Sequence, residues 1–252
     1  MTFYELYKAL DAKFPKSLSC DWDNDGIMCA DDLKKPVKKV LIALDVTNET
    51  INYAIKKGYD TIISHHPLVF KAQNAICECN HTQKKLISLI KNGIRVMSFH
   101  TRLDAADLGV NDTLALALGF SSCEKDTNDP LGRICTLVDE MPVQAFAKKV
   151  KKALGSPVVS YIGGRIVSKV YLVGGDGKDM IPCAISAGAD TLVTGNASYN
   201  SMLDAEEMGI NVIEAGHFYT ENPVCESLKS FLISIGGDFK IEIFDSNKIN
   251  VI

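Results

Sequence analysis

Gly58-Tyr59-Asp60-Thr61-Ile62-Ile63-Ser64-His65-His66-Pro67 decides the fold. Gly58 closes a helix predicted over 48–57, because glycine takes the left-handed conformation that other residues resist. The apolar run Thr61–Ile63 is short, β-branched and bounded by turn residues, which predicts a buried strand over 60–64. Pro67 has a fixed φ and no N–H, so the strand stops before it. Helix, turn and buried strand in that order belong to a parallel α/β sheet. The two imidazoles therefore arrive at the carboxyl end of a strand, where open α/β sheets bind ligands. Neighbouring strand residues point to opposite sides, so His65 and His66 are read as serving one ion each of a metal pair.

Outward from this stretch the same alternation continues. Strands are expected over 37–44, 94–99, 131–138, 168–173, 191–194, 210–214 and 240–244. Helices are expected over 2–13, 81–92, 111–118, 142–154, 179–187, 198–208 and 222–235. The spacing indicates α/β layers around a largely parallel sheet. Sliding the chain on itself aligns residues 37–64 with 167–194 at a constant offset of 130 and no gap, with nine of 28 pairs identical. Asp60/Asp190, Thr61/Thr191, Gly58/Gly188 and Lys39/Lys169 are among them. The expected fold is thus two related α/β domains from an internal duplication, with a metal site in the cleft between them. The polar, turn-rich residues 120–130 set the expected domains at 1–125 and 126–252.

Composition narrows the function classes. The chain has 252 residues, 46% hydrophobic and 23% charged, as in ordinary globular proteins. A net charge of −4 and a pI near 5.8 argue against a nucleic-acid partner. Lys148-Lys149-x-Lys151-Lys152 is the one basic run and reads as a solvated helix face. No apolar run spans a bilayer, and the N-terminus lacks the layout of an export signal, so a cytoplasmic protein without a membrane partner is expected. The eight cysteines are then expected as free thiols, and Cys77-Glu-Cys79 has no second pair at zinc-site spacing.

Four of the five histidines, His65, His66, His100 and His217, fall at expected carboxyl ends of strands, with Asp104 four residues after His100 and Glu221 four after His217. Imidazole with carboxylate is the ordinary ligand set of zinc, manganese and iron(II). Two other motifs compete for attention. Asp21-x-Asp23-x-Asp25-Gly26 has the opening spacing of a calcium loop, but Pro15 and Pro36 leave no room for its flanking helices. A polar turn with Trp22 tucked into the core is the expectation there. Gly174-Gly-Asp-Gly177 could cradle phosphate or be a simple turn.

The motifs Trp22-Asp-Asn-x-Gly-Ile27, Ser64-His-His-Pro-Leu-Val-Phe70, His100-Thr-x-Leu-Asp104 with Gly109-Val-Asn-Asp112, and Gly216-His-x-x-Thr-Glu221 together resemble the Nif-three-like family, the GTP cyclohydrolase I type 2 homologues, in its short form. The resemblance implies a dinuclear site whose ligands are His65, His66, Asp104, His217 and Glu221, and assembly into a toroidal homohexamer. Asn196 stands where the family often carries an acidic residue. The expected function is a metal-dependent hydrolase holding two divalent ions per chain (zinc, manganese or iron), acting on a nucleotide or phosphoester, with His100 moving the proton. The alternative is a non-enzymatic metal chaperone or regulatory scaffold built on the same ligands.

Overall fold

The computed structural model describes residues 1–252. The chain forms two compact units, Met1–Ala106 with Cys225–Lys248, and Asp107–Val224 with Ile249–Ile252. The first begins with α1 (Phe3–Lys13) and β1 (Gly26–Cys29), followed by β2 (Lys39–Ala43), α2 (Asn48–Lys57), β3 (Thr61–Ser64), α3 (His81–Lys91), β4 (Arg95–Ser98) and α4 (Thr101–Ala105). The second holds α5 (Val110–Ala117), β5 (Cys123–Lys125), β6 (Arg133–Pro142), α6 (Val143–Leu154), β7 (Ser160–Ile162), β8 (Ile166–Asp176), α7 (Ile181–Ser186), β9 (Thr191–Asn196), α8 (Tyr199–Glu207), β10 (Asn211–Glu214) and α9 (His217–Glu221). The chain then enters α10 (Val224–Ser234), and β11 (Lys240–Ile243) adds an edge strand to the first unit. No helix is long and apolar enough to cross a membrane.

The first unit's sheet runs β1-β4-β3-β2-β11, and the second's β5-β6-β8-β9-β10-β7. In each, three parallel strands form the middle: β2, β3 and β4 in one, β8, β9 and β10 in the other. An antiparallel strand closes the same side in both, β1 on β4 and β7 on β10. Registers coincide as well, Val40 opposite Thr61 and Val170 opposite Thr191. The other edges differ, since β11 lies parallel to β2 whereas β6 lies antiparallel to β8. The parallel strands are buried on both faces. Along β8, Val170 and Leu172 pack with Phe146 and Val150, while Tyr171 and Val173 pack with Ile181 and Ala184. In the first unit Leu41, Ile62 and Val96 pack against Ile51, Leu86 and Leu89.

The residues shared at the offset of 130 do the same local work. Asp60 accepts the amides of Lys38 (2.9 Å) and Lys39 (3.1 Å) and the Thr61 hydroxyl (2.8 Å). Asp190 accepts the amides of Ser168 (2.9 Å) and Lys169 (2.7 Å) and the Thr191 hydroxyl (2.7 Å). Each carboxylate ties the foot of one parallel strand to the next, where backbone donors would otherwise lack acceptors. The Nζ of Lys39 and of Lys169 then reach carbonyls at the ends of the helices that follow their strands, Lys57 (2.8 Å) and Ala187 (2.6 Å).

Three readings differ from the structure. Residues 107–125, expected in the first domain, lie in the second unit, because the polar stretch 120–130 is no linker: its Cys123–Lys125 segment pairs with β6. The cysteines are not all free thiols. Cys123 and Cys135 face each other across that pairing with Cα atoms 4.5 Å apart and form a disulfide, as do Cys77 and Cys79. Trp22 is 64% exposed, outside the core.

Candidate metal centre

The carboxyl ends of β2, β3 and β4 interlock through their own backbone. The His66 amide donates to Leu44 O (3.0 Å), the Phe99 amide to Ser64 O (2.9 Å), and the Ser64 and Ser98 hydroxyls share a hydrogen bond of 2.8 Å. Ser64 Oγ also donates to His66 O (2.9 Å), which fixes the His-His turn. This frame brings His65, His66 and His100 together, with ligating atoms within 4.8 Å of one another, a grouping able to hold a metal ion.

Each of these rings has its Nδ1 committed to an acceptor. His65 Nδ1 lies 3.0 Å from Phe99 O, His66 Nδ1 2.8 Å from Asp45 Oδ1, and His100 Nδ1 2.8 Å from Asp23 Oδ1. Carbonyl and carboxylate oxygens only accept, so each ring donates from Nδ1, and Nε2 is the atom through which it would ligate a metal. Metal-binding histidines are oriented by such partners. Asp104, on α4, places Oδ1 3.6 Å from His65 Nε2. Burial alone would raise the Asp23 carboxyl, but hydrogen bonds from His100 and Thr101 outweigh it and hold Asp23 far below the usual carboxylate range. It is therefore a fixed negative charge behind His100.

The second unit contributes its own pair. On the single turn of α9, His217 Nε2 lies 3.1 Å from Glu221 Oε2, the i,i+4 relation that stacks side chains on one helix face. Glu221 is buried. The turn is seated by Thr220, whose Oγ accepts the Gly175 amide (3.1 Å) and donates to the carbonyls of Gly216 and His217. Gly175, at φ +67, lies so close to Glu221 Oε1 that a Cβ would collide with it.

Two competing motifs lose their functional readings. In the calcium-like loop, Asp23 is taken by His100 and Thr101, and Asp25 by Arg102, Lys16 and Ser19. Of the glycine-rich stretch, Gly174 and Gly175 belong to β8, and their amides already donate to Asn111 Oδ1 and Thr220 Oγ1, so they cradle no phosphate. The lysines of 148–152 lie exposed on α6, as expected of a solvated face. Sequence reasoning missed Asp45 and did not connect Asp23 with His100. The available signal for Asp45 was its place just past β2, level with the histidines that follow β3.

A profile of the Duf34/NIF3 family (NGG1p interacting factor 3) matches residues 1–250. The chain belongs to this family. A Clostridium perfringens relative named GTP cyclohydrolase 1 type 2 homolog is 35% identical over 232 residues, covering 89% of this chain and 88% of that protein. A Clostridium acetobutylicum relative of the same name is 36% identical, covering 87% and 85%. Among solved structures, a Staphylococcus aureus hypothetical protein matches with a TM-score of 0.92 at 27% identity, covering 100% of this chain and 99% of that one. Reduced HcgD from Methanocaldococcus jannaschii matches with a TM-score of 0.85 at 29% identity, covering 96% and 97%.

Proposed function

We propose that this Duf34/NIF3 protein is a metal-dependent hydrolase. Two divalent ions per chain would be held by His65, His66 and Asp104 of the first unit together with His217 and Glu221 of the second, in a cleft between two units descended from one duplicated β-α-β element. The observation that carries the reading is the uniform tautomer of the histidine cluster. Three acceptors hold the Nδ1 protons of three rings whose ligating atoms lie within 4.8 Å of one another. The two strand-foot aspartates, Asp60 and Asp190, support the duplication. The donor set suits zinc, manganese or iron(II). Bound ions would supply Lewis acidity and an activated water.

His100 then has a separate task. Its Nε2 accepts a proton from the attacking water, and the Asp23 carboxylate behind Nδ1 stabilises the imidazolium that forms. The name carried by the clostridial relatives supports a nucleotide substrate. A cytoplasmic ring of six chains completes the proposal. Light scattering should then report six times the chain mass of 27.5 kDa, and a monomer or dimer would remove the ring.

The test is a panel of nucleotides and phosphomonoesters offered to protein loaded with zinc, manganese or iron(II). About two equivalents of metal and metal-dependent turnover are expected, with His100→Gln keeping the metal and lowering kcat by roughly 10²–10⁴-fold. Metal binding without turnover on any member of the panel would leave a metal carrier instead. Undiminished turnover in His100→Gln would strip that residue of its role.

A further inference from the structure

Beside the histidine cluster the first unit holds a cavity of about 520 Å³, within the size range of small-molecule sites. His66 and Asp45 line it on one side, and Asn80, His81, Thr82 and Lys85, from the start of α3, on another. Lys71 and Phe70 complete the part that concerns ligand chemistry.

The charge on this wall is lopsided. Asp45 is the one carboxylate lining the cavity, and it already accepts the His66 ring N–H. Facing it are two lysines and His81. Lys85 is half-buried, and its ammonium has no hydrogen bond or salt bridge in the protein. Burial lowers its pKa, and the attraction of Asp45 and Glu49 does not restore it. A cation desolvated without a partner is a cost unless a ligand repays it. Asn80 Oδ1 already caps the Gln83 amide in the first turn of α3, and the positive end of that helix adds to the same field.

The rim offers the opposite chemistry. Phe70, which lines the cavity, is 48% exposed, and Trp22, which packs against Phe70 just outside the lining, is 64% exposed. They meet edge to face with centroids 6.1 Å apart, and each sits 6.2 Å from the His100 ring. Exposed aromatic rings beside a polar site are stacking platforms for flat heterocycles.

We infer that this cavity binds a nucleoside monophosphate, with the phosphate held by Lys85, Lys71 and His81 and the base laid against Phe70 and Trp22 beside the histidine cluster. The inference rests on the hydrolase reading for its substrate class and deepens it. It assigns Lys85 to substrate binding, apart from the metal ligands. A phosphate fits this wall better than a single carboxylate, because its several oxygens can engage three separate donors at once.

Trp22 is the chain's single tryptophan, so its fluorescence reports the platform directly. The experiment titrates GMP, guanosine and inorganic phosphate into wild type, Lys85→Ala and Lys85→Arg, each metal-loaded and each metal-stripped, with melting temperatures recorded alongside. GMP should quench Trp22 and bind at least 10-fold more tightly than guanosine in both metal states. Lys85→Ala should erase that advantage and leave guanosine unchanged, Lys85→Arg should retain most of it, and phosphate should compete with GMP. Equal binding of GMP and guanosine by wild type, or an advantage untouched by Lys85→Ala, overturns the inference even if metal-dependent turnover is present. A Lys85-dependent advantage in protein that never holds metal would keep the inference and overturn the hydrolase reading.

Discussion

His66→Ala should remove at least one of two bound metal equivalents and lower metal-dependent turnover by about three orders of magnitude or more, while leaving the fold in place. The side chain is partly exposed, and its Nδ1 donates a 2.8 Å hydrogen bond to Asp45 Oδ1 at the edge of the histidine cluster. Losing it therefore opens no large cavity in the core. His65→Ala is the less informative variant, because that ring is wholly buried and its loss mixes metal affinity with packing. Glu221→Ala should behave as His66→Ala does if ligands come from both units. Asp45→Asn separates ligation from orientation. The amide oxygen can still accept from Nδ1–H, but it carries no charge to raise the basicity of the ring, so metal affinity should fall by about 10–100-fold instead of vanishing. Elemental analysis after gel filtration, with calorimetric titration of the stripped proteins, reads all of these. Full metal content in both His66→Ala and Glu221→Ala would break the proposed ligand set.

Much of this was legible in the chain. The helix over 48–57 lies where expected, and β3 agrees within one residue, because a polar N-cap at 47 or 48, Gly58 and Pro67 punctuate them. The offset of 130 also had physical content: Asp60 and Asp190 perform the same strand-to-strand task. What escaped reading was short or depended on distant partners. Both α4 and α9 have five residues, too few for a helical period to emerge, although they carry Asp104, His217 and Glu221. The strand β1, only four residues long, was hidden in a turn-rich stretch. Asp23 looked like part of a calcium loop because its partner, His100, is 77 residues away. Residue type places Trp22 in the core, and type alone does not tell a core aromatic from one displayed beside a site. Such failures concentrate around the histidine cluster, where side chains obey a ligand's demands ahead of packing.

Gly195→Ala should cripple the second unit's contribution without replacing any proposed ligand. A Cβ at residue 195 would stand 2.6 Å from Gly175 O, 2.6 Å from Thr220 Oγ1 and 2.8 Å from the His217 Cα. Carbon atoms do not approach so closely, and two of the three neighbours are backbone, so no rotamer change relieves the clash. The turn of α9 has to move away from the end of β9. That movement also pulls Thr220 off the Gly175 amide and spoils the seat shared by His217 and Glu221. Overpacking of this kind costs about 1–3 kcal/mol. A shift of about 1 Å at two proposed ligands would cost metal affinity besides, since coordination tolerates only a few tenths of an ångström. The expected result is a lower melting temperature together with at least a 10-fold loss of metal affinity. Gly164→Ala is the control, because a Cβ there meets nothing within 4 Å and should change neither property. If Gly195→Ala melted and bound metal like wild type, α9 would have freedom to shift without consequence, and the carriage of His217 and Glu221 on a rigid turn would no longer explain how this unit serves a metal centre.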